Sequence, residues 1–222
     1  MTPESIFKKR LPMSELLKRL GHLQTRRDRT PNLDLARDLA AREDISGIRE
    51  IAENMWNENK NIHGDCIHVM YEIGAIDPNL INPYAGDFVK LLKSRHNNMV
   101  WGAMTALVEI AKVNPDFIFI HLAEIKKARE AGSDITIDNS ISVLAHTAAA
   151  SEEYGKVIFP YLLQHLSTCR PGDVPQHAER TLPAVNESNA NEFIKVLKKR
   201  NNDLSGAAFT RLGRIIRLAE KI

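Results

Sequence analysis

Asn61-Ile62-His63-Gly64-Asp65-Cys66-Ile67-His68-Val69-Met70-Tyr71-Glu72-Ile73 lies 37 residues before Asn98-Met99-Val100-Trp101-Gly102-Ala103-Met104-Thr105-Ala106-Leu107-Val108-Glu109-Ile110. Both segments close on Glu-Ile, and Asp77-Pro78 matches Asn114-Pro115 at the same shift. A fixed period of this length marks a repeat architecture, in which each unit buries its apolar face only against its neighbours. Carried forward, the register gives four columns. The first reads Ile62, Met99, Thr136, Val174, Leu204 and the second Cys66, Ala103, Ser140, Ala178, Ala208. The third reads Met70, Leu107, Leu144, Leu182, Leu212 and the fourth Ile73, Ile110, Thr147, Val185, Ile215. Spacings of 0, 4, 8 and 11 fall along one stripe of an α-helix, the side a helix buries. The second column is small throughout, which predicts close helix approach at one level of every unit. Successive shifts of 37, 37, 38 and 30 make the last unit shorter, and Glu179 breaks the fourth, standing where Ile67, Met104, Ile141 and Phe209 stand in the others.

Between these helices lie further apolar segments, around Phe88–Leu92, Phe117–Ile125, Val157–Leu166 and Phe193–Leu197, each read as the other helix of a pair. Thr30-Pro31, Asp77-Pro78 and Asn114-Pro115 set a side-chain acceptor before a proline that lacks the orphan amide, a helix start signal. Asn61, Asn98, Asp173 and Asp203 precede the second helices and are candidate caps. No stretch alternates apolar and polar residues between turn signals, so strands are not expected. The expectation is an all-α chain: a right-handed α-α superhelix of about five helix pairs over 44–222, behind an N-terminal helical cap over 1–43, forming one continuous domain.

Paired helices at a period near 37, a polar turn inside the pair and a proline near the start of the first helix resemble HEAT repeats, within the armadillo-type superhelices. HEAT-like units commonly carry an Asp in the inner turn and a Val-Arg pair opening the second helix. Here Asp173 and Asp203 fit the turn, while the Arg position holds His63, Val100, Ile137, Pro175 and Ser205. The resemblance covers roughly 44–222 and is one of architecture, with divergent units. It carries no catalytic residues and implies binding of other macromolecules along a superhelical surface.

The resemblance also implies that second helices line the concave side, so their polar positions are the candidate binding residues. These are Asp65, His68 and Glu72; Thr105, Glu109 and Lys112; Asn139, Ser142 and His146; His177 and Arg180; Thr210, Arg214 and Arg217, with Trp101 beside them. The stripe starts acidic and ends basic. As a site it reads as a groove for an extended peptide or other charged polymer whose direction charge would fix; the ordinary alternative is a solvated helix face.

The chain has 222 residues, 30 Lys plus Arg, 28 Asp plus Glu and a formal charge of +2. Residues 1–29 carry +5, from Lys8, Lys9, Arg10, Lys18, Arg19, Arg26, Arg27 and Arg29 against Glu4, Glu15 and Asp28, leaving −3 elsewhere. Such an arm suits an acidic partner or is a solvated helix face; Leu16, Leu17 and Leu20, between Ser14 and Gly21, predict a helix there. No apolar run approaches the roughly 20 residues of a membrane span. The opening ten residues have no apolar run behind their charges, so no secretory signal is expected, and two distant cysteines make no disulfide framework. The expected compartment is the cytoplasm.

Enzyme chemistry finds little footing. Asp65, His68 and Glu72 share a helix face, but a metal site needs three or four converging ligands, so none is assigned. HEAT-like hydroxylases that hold iron use repeated His-Glu dipeptides, and no histidine here precedes a Glu. Other HEAT-like proteins of this size are DNA glycosylases for alkylated bases, with a basic concave face, aromatic residues and an essential Asp. Tyr71, Trp101, Asp138, Arg180, Arg214 and Arg217 are the residues this chain offers for that role. A net charge of +2 and an acidic half-stripe weigh against it. Cys66 falls in the small column and reads as packing; Cys169, beside Arg170, reads as exposed in a turn. No catalytic residue, cofactor or metal is assigned. The reading is a non-catalytic scaffold for a protein or peptide; the alternative is a nucleic-acid-binding protein of the same architecture.

Overall fold

The computed structural model describes residues 13–24 and 30–222, and the order of elements follows the repeat. Helices α1 (Thr30–Ala41) and α2 (Ile45–Asn54) precede α3 (Lys60–Ile76). A short α4 (Pro78–Ile81) and α5 (Ala85–Leu91) lead to α6 (Asn97–Val113), and α7 (Pro115–Ile120) and α8 (Leu122–Glu130) lead to α9 (Asp134–Ala150). Then come α10 (Glu152–Thr168) with α11 (Val174–Thr181), and α12 (Ala190–Arg200) with α13 (Gly206–Ala219). No strand occurs among the described residues, and no helix is long and apolar enough to cross a membrane.

Two rows result. α1 packs on α3, α3 on α6, α6 on α9, α9 on α11 and α11 on α13, so the second helices touch along the whole stack, with α1 extending their row. The first helices pack mainly inward, α5 on α6, α8 on α9, α10 on α9 and α12 on α13, with fewer contacts among themselves. The second helices thus form the continuous row, the one that the resemblance to HEAT and armadillo superhelices places on the concave side.

The four columns explain the packing. In α3, α6 and α9 every column residue is buried, from Ile62 through Thr147. Cys66, Ala103, Ser140 and Ala178 are fully buried, and burial raises the Cys66 thiol pKa. Beside this column α3 and α6 approach closely: a Cβ on Gly102 would stand 2.7 Å from Ile67 Cγ1. Departures sit in the last two units. Leu182 falls in a 3-10 turn, Leu182–Ala184, because Pro183 has no amide to continue α11. Leu204 lies before α13 and is only partly buried, as is Ala208. Glu179 avoids burial by pairing with Arg211 and Arg214.

Several expected signals act differently. Ser14 does start a turn, its hydroxyl accepting from the Leu17 amide at 3.1 Å, but 13–24 form two 3-10 turns, Leu17–Arg19 and Gly21–Leu23, in place of an α-helix. Gly21 opens the second turn, donating its amide to Asn32 Oδ1 at 2.8 Å. Most of the basic arm's charges, Lys8, Lys9, Arg10, Arg26, Arg27 and Arg29, lie outside the described residues. Asp77 and Asn114 cap their helices as expected, accepting from the Asn79 and Phe117 amides. The second-helix caps do not. Asn59 caps α3 in place of Asn61, and α6 starts at Asn97 after His96, so Asn98 lies inside it. Asp173 and Asp203 instead accept from Arg170 Nε at 2.7 Å and Arg200 Nε at 2.6 Å. A guanidinium three residues upstream outcompetes an amide for the carboxylate, since charge-assisted bonds are stronger. The rest of the Arg200 fork caps α10, donating to the Leu166 and Cys169 carbonyls at 2.7 and 2.8 Å.

Candidate functional site

The polar positions of the concave row meet across unit boundaries. Thr105 Oγ1 donates to the Trp101 carbonyl and accepts from Asn139 Nδ2, both at 2.7 Å; Arg180 Nη1 reaches Asn139 Oδ1 at 3.4 Å and Ser142 Oγ at 2.8 Å. These bonds join α6, α9 and α11 into a continuous polar wall. Next to it His146 is half-buried, and burial, then the Lys112 charge, hold its pKa below the ordinary histidine value. Glu109 pairs with Lys112 at 2.5 Å.

At the α3 end the chain satisfies its own carboxylate. Asp65 accepts from the His22 amide at 2.9 Å, His22 Nδ1 at 2.7 Å and Asn32 Nδ2 at 2.8 Å. His68 takes a bond from Asn32 Nδ2 at 3.2 Å and lies 3.5 Å from Glu72. His68, Tyr71 and Trp101 form a run of rings with centroids 5.1 and 5.8 Å apart. Trp101 is partly buried against the core, so it serves packing there. At the other end Thr210, Arg214 and Arg217 are exposed on α13. Glu179, between Arg211 and Arg214, has its pKa lowered chiefly by the Arg211 hydrogen bond, and it interrupts the basic end that the spacing alone implied.

His177 leaves this stripe for a second site. Where the inner turns of the third and fourth pairs meet, a pocket of about 610 Å³ is lined by Arg129, Asp138, His165, Cys169 and His177, among others. An Arg129 guanidinium nitrogen donates to His165 Nδ1, and its neighbour donates to the Tyr161 hydroxyl at 2.7 Å. Arginine only donates, so His165 Nδ1 is bare and its proton sits on Nε2. His165 Nε2 then donates to His177 Nδ1 at 2.8 Å, and His177 Nε2 donates to Asp138 Oδ1 at 2.8 Å. A carboxylate only accepts, so both ends of the chain fix the same tautomers and every bond points from Arg129 toward Asp138. Gln176 Nε2 also donates to Asp138. Burial first, and the Arg129 charge second, push the His165 pKa down to about 3.

Asp138 and His177 were legible as individual candidates; Arg129 and His165, on first helices, were not. The usable signal is the period itself, because Gln176 stands 38 residues after Asp138, Arg180 38 after Ser142 and His165 36 after Arg129. Cys169 is half-buried, so burial raises its thiol pKa; Arg200 is the neighbouring cation, while Arg170 turns to Asp134 and Asp173.

This relay sets a pH dependence of stability. Above pH 6.5 a histidine is neutral in both folded and unfolded chains. Below it the unfolded chain takes up a proton that folded His165 refuses until about pH 3, so stability falls as pH drops through that window. Urea unfolding at pH about 7.5 and about 5 is expected to give a lower midpoint at the acid value, with the difference reduced in His165→Gln. Equal pH slopes for the two proteins would contradict this assignment.

Stacked helix pairs with one continuous concave row define an α-solenoid of the HEAT and armadillo type. Comparison with known proteins places the chain in that fold. No family model matches it, and no curated protein sequence does. Among solved structures, an engineered protein superposes with a TM-score of 0.62 at 18% identity, over 94% of this chain and 98% of the other. A designed armadillo repeat protein in complex with the peptide (KR)4 gives 0.62 at 14%, over 94% and 99%. Kap121p bound to Pho4p gives 0.58 at 17%, over 90% of this chain and 22% of that one.

Proposed function

We propose that the chain is a non-catalytic interaction scaffold that holds an extended peptide segment of a partner protein along the concave row. The observation that carries this reading is the continuity of the polar wall from Thr105 through Asn139 to Arg180 and Ser142, unbroken across three units. A wall of fixed donors and acceptors suits a polymer that presents polar groups at regular intervals. Charge adds polarity: Glu72 and Glu109, with Lys112 on Glu109, stand toward the α3 end, and Arg180, Arg211, Arg214 and Arg217 stand against Glu179 toward the other. The similar designed protein was solved with a peptide, which supports a peptide over a folded surface as ligand. An acidic half-peptide is then expected at α11 and α13, and a basic half at α3 and α6.

The test is fluorescence anisotropy with two labelled peptides, one with a Lys/Arg half followed by a Glu/Asp half and one with the halves exchanged. One order is expected to bind at least tenfold tighter, about 1.4 kcal/mol. The double reversal Arg214→Glu and Arg217→Glu should abolish that preference. Equal affinity for both orders, or a preference untouched by the reversal, would remove the directional groove. Equally tight binding of duplex DNA, with a steep salt dependence, would favour a nucleic-acid ligand instead.

A further inference from the structure

We propose that the pocket between the third and fourth pairs is a binding site for a borderline-soft divalent cation such as zinc, ligated by His165 Nε2, His177 Nδ1 and the Cys169 thiolate. Among the described residues these three side chains form the group whose ligand atoms lie within 4.8 Å of one another. Two imidazoles and a thiolate suit zinc and its neighbours, and three protein ligands beside an open pocket leave the fourth position for water or a partner's side chain. Bond lengths of roughly 2.0–2.3 Å space tetrahedral donor atoms by roughly 3.3–3.6 Å. The two histidine nitrogens, now 2.8 Å apart about a shared proton, need to part by about half an ångström for the ion to replace that proton.

Half of the outer shell is already in place. His177 donates Nε2–H to Asp138 and turns the Nδ1 lone pair inward, the tautomer a metal needs, held by the carboxylate behind it. Glu130 on the same pocket favours a cation, while Asp134 and Asp173 are already paired with Arg170. Arg129 opposes it. Ligation through Nε2 moves the His165 proton to Nδ1, where the guanidinium now donates, so Arg129 has to swing aside. Its Nε is buried without a hydrogen-bond partner, so the present pose is not fully satisfied. The step balances: the cation enters, the Cys169 thiol releases one proton, His165 moves its proton from Nε2 to Nδ1 and His177 is unchanged. Arg129 therefore acts as a gate that keeps the site weak and exchangeable.

The experiment is titration of the full chain with cobalt(II), followed by the thiolate-to-cobalt charge-transfer band and the intense visible bands of tetrahedral cobalt, then displacement with zinc. One equivalent of cobalt is expected to develop both, and zinc to remove them. Cys169→Ser should abolish the charge-transfer band and Cys66→Ser should leave it. Asp138→Asn should weaken binding by about 10–100-fold, and Arg129→Gln, whose amide oxygen accepts from His165 Nδ1, should tighten it at least tenfold. Circular dichroism establishes that each variant is folded, and the wild-type titration stands without them. Absence of the band in the wild-type chain, or its survival in Cys169→Ser, would overturn the site; unchanged or weaker binding in Arg129→Gln would overturn the gate.

Discussion

Phe88→Ala is expected to lower the free energy of unfolding by about 3–5 kcal/mol. Phe88 is fully buried on α5, and α5 is the short helix that covers α6. Pro83 has no amide to continue α4, so a 3-10 turn, Asn82–Tyr84, intervenes and α5 has only Ala85–Leu91 with which to hold its side of the pair. Loss of its largest side chain leaves both the transfer cost and a cavity that seven helical residues cannot close by moving as a unit. Because each unit of a stack is supported only by its neighbours, the lesion is expected to weaken the α3–α6 and α6–α9 contacts as well. Urea unfolding measures it, with Phe209→Ala as the control, since Phe209 is exposed on α13. A loss below about 1 kcal/mol for Phe88→Ala would mean that the second pair is not packed as described.

His177→Ala is expected to cost about 3 kcal/mol, for a different reason. The residue is 3% exposed and both ring nitrogens are engaged, so truncation leaves the His165 Nε2–H without an acceptor and takes from Asp138 a donor that stands beside Gln176. The decisive measurement is a double-mutant cycle of His177→Ala with Asp138→Ala. Coupling of about 1–3 kcal/mol is expected for groups in one buried network. Additive losses would mean that the two residues are neighbours without being partners, and the relay would lose its energetic basis.

The architecture was legible because a helix that stacks on both sides must repeat its apolar positions. Met70, Leu107 and Leu144 fall in one column because each faces the same gap between neighbours, and full burial there requires an apolar side chain. The helix ends were less legible. Asp173 has the composition of a cap, but its carboxylate goes to Arg170, a choice made by side-chain charge that backbone spacing does not encode. The polar stripe was legible as positions and not as bonds: Asp65 reads as an open carboxylate until His22 and Asn32, from segments before the repeat, close on it. The relay was hidden for a related reason. Arg129 and His165 sit on first helices, and only the stacking of the third pair on the fourth brings them to His177 and Asp138.

If, as proposed, the concave row binds an extended peptide in one direction, each end of that peptide lies against a different set of helices. Photo-crosslinking tests it most directly, using the preferred mixed-charge peptide with a photoreactive residue at either end and mapping the attachment sites by mass spectrometry. The basic end is expected to mark α3 and α6 and the acidic end to mark α11 and α13. Attachment to the first helices α5, α8, α10 and α12, or both ends marking the same helices, would contradict it.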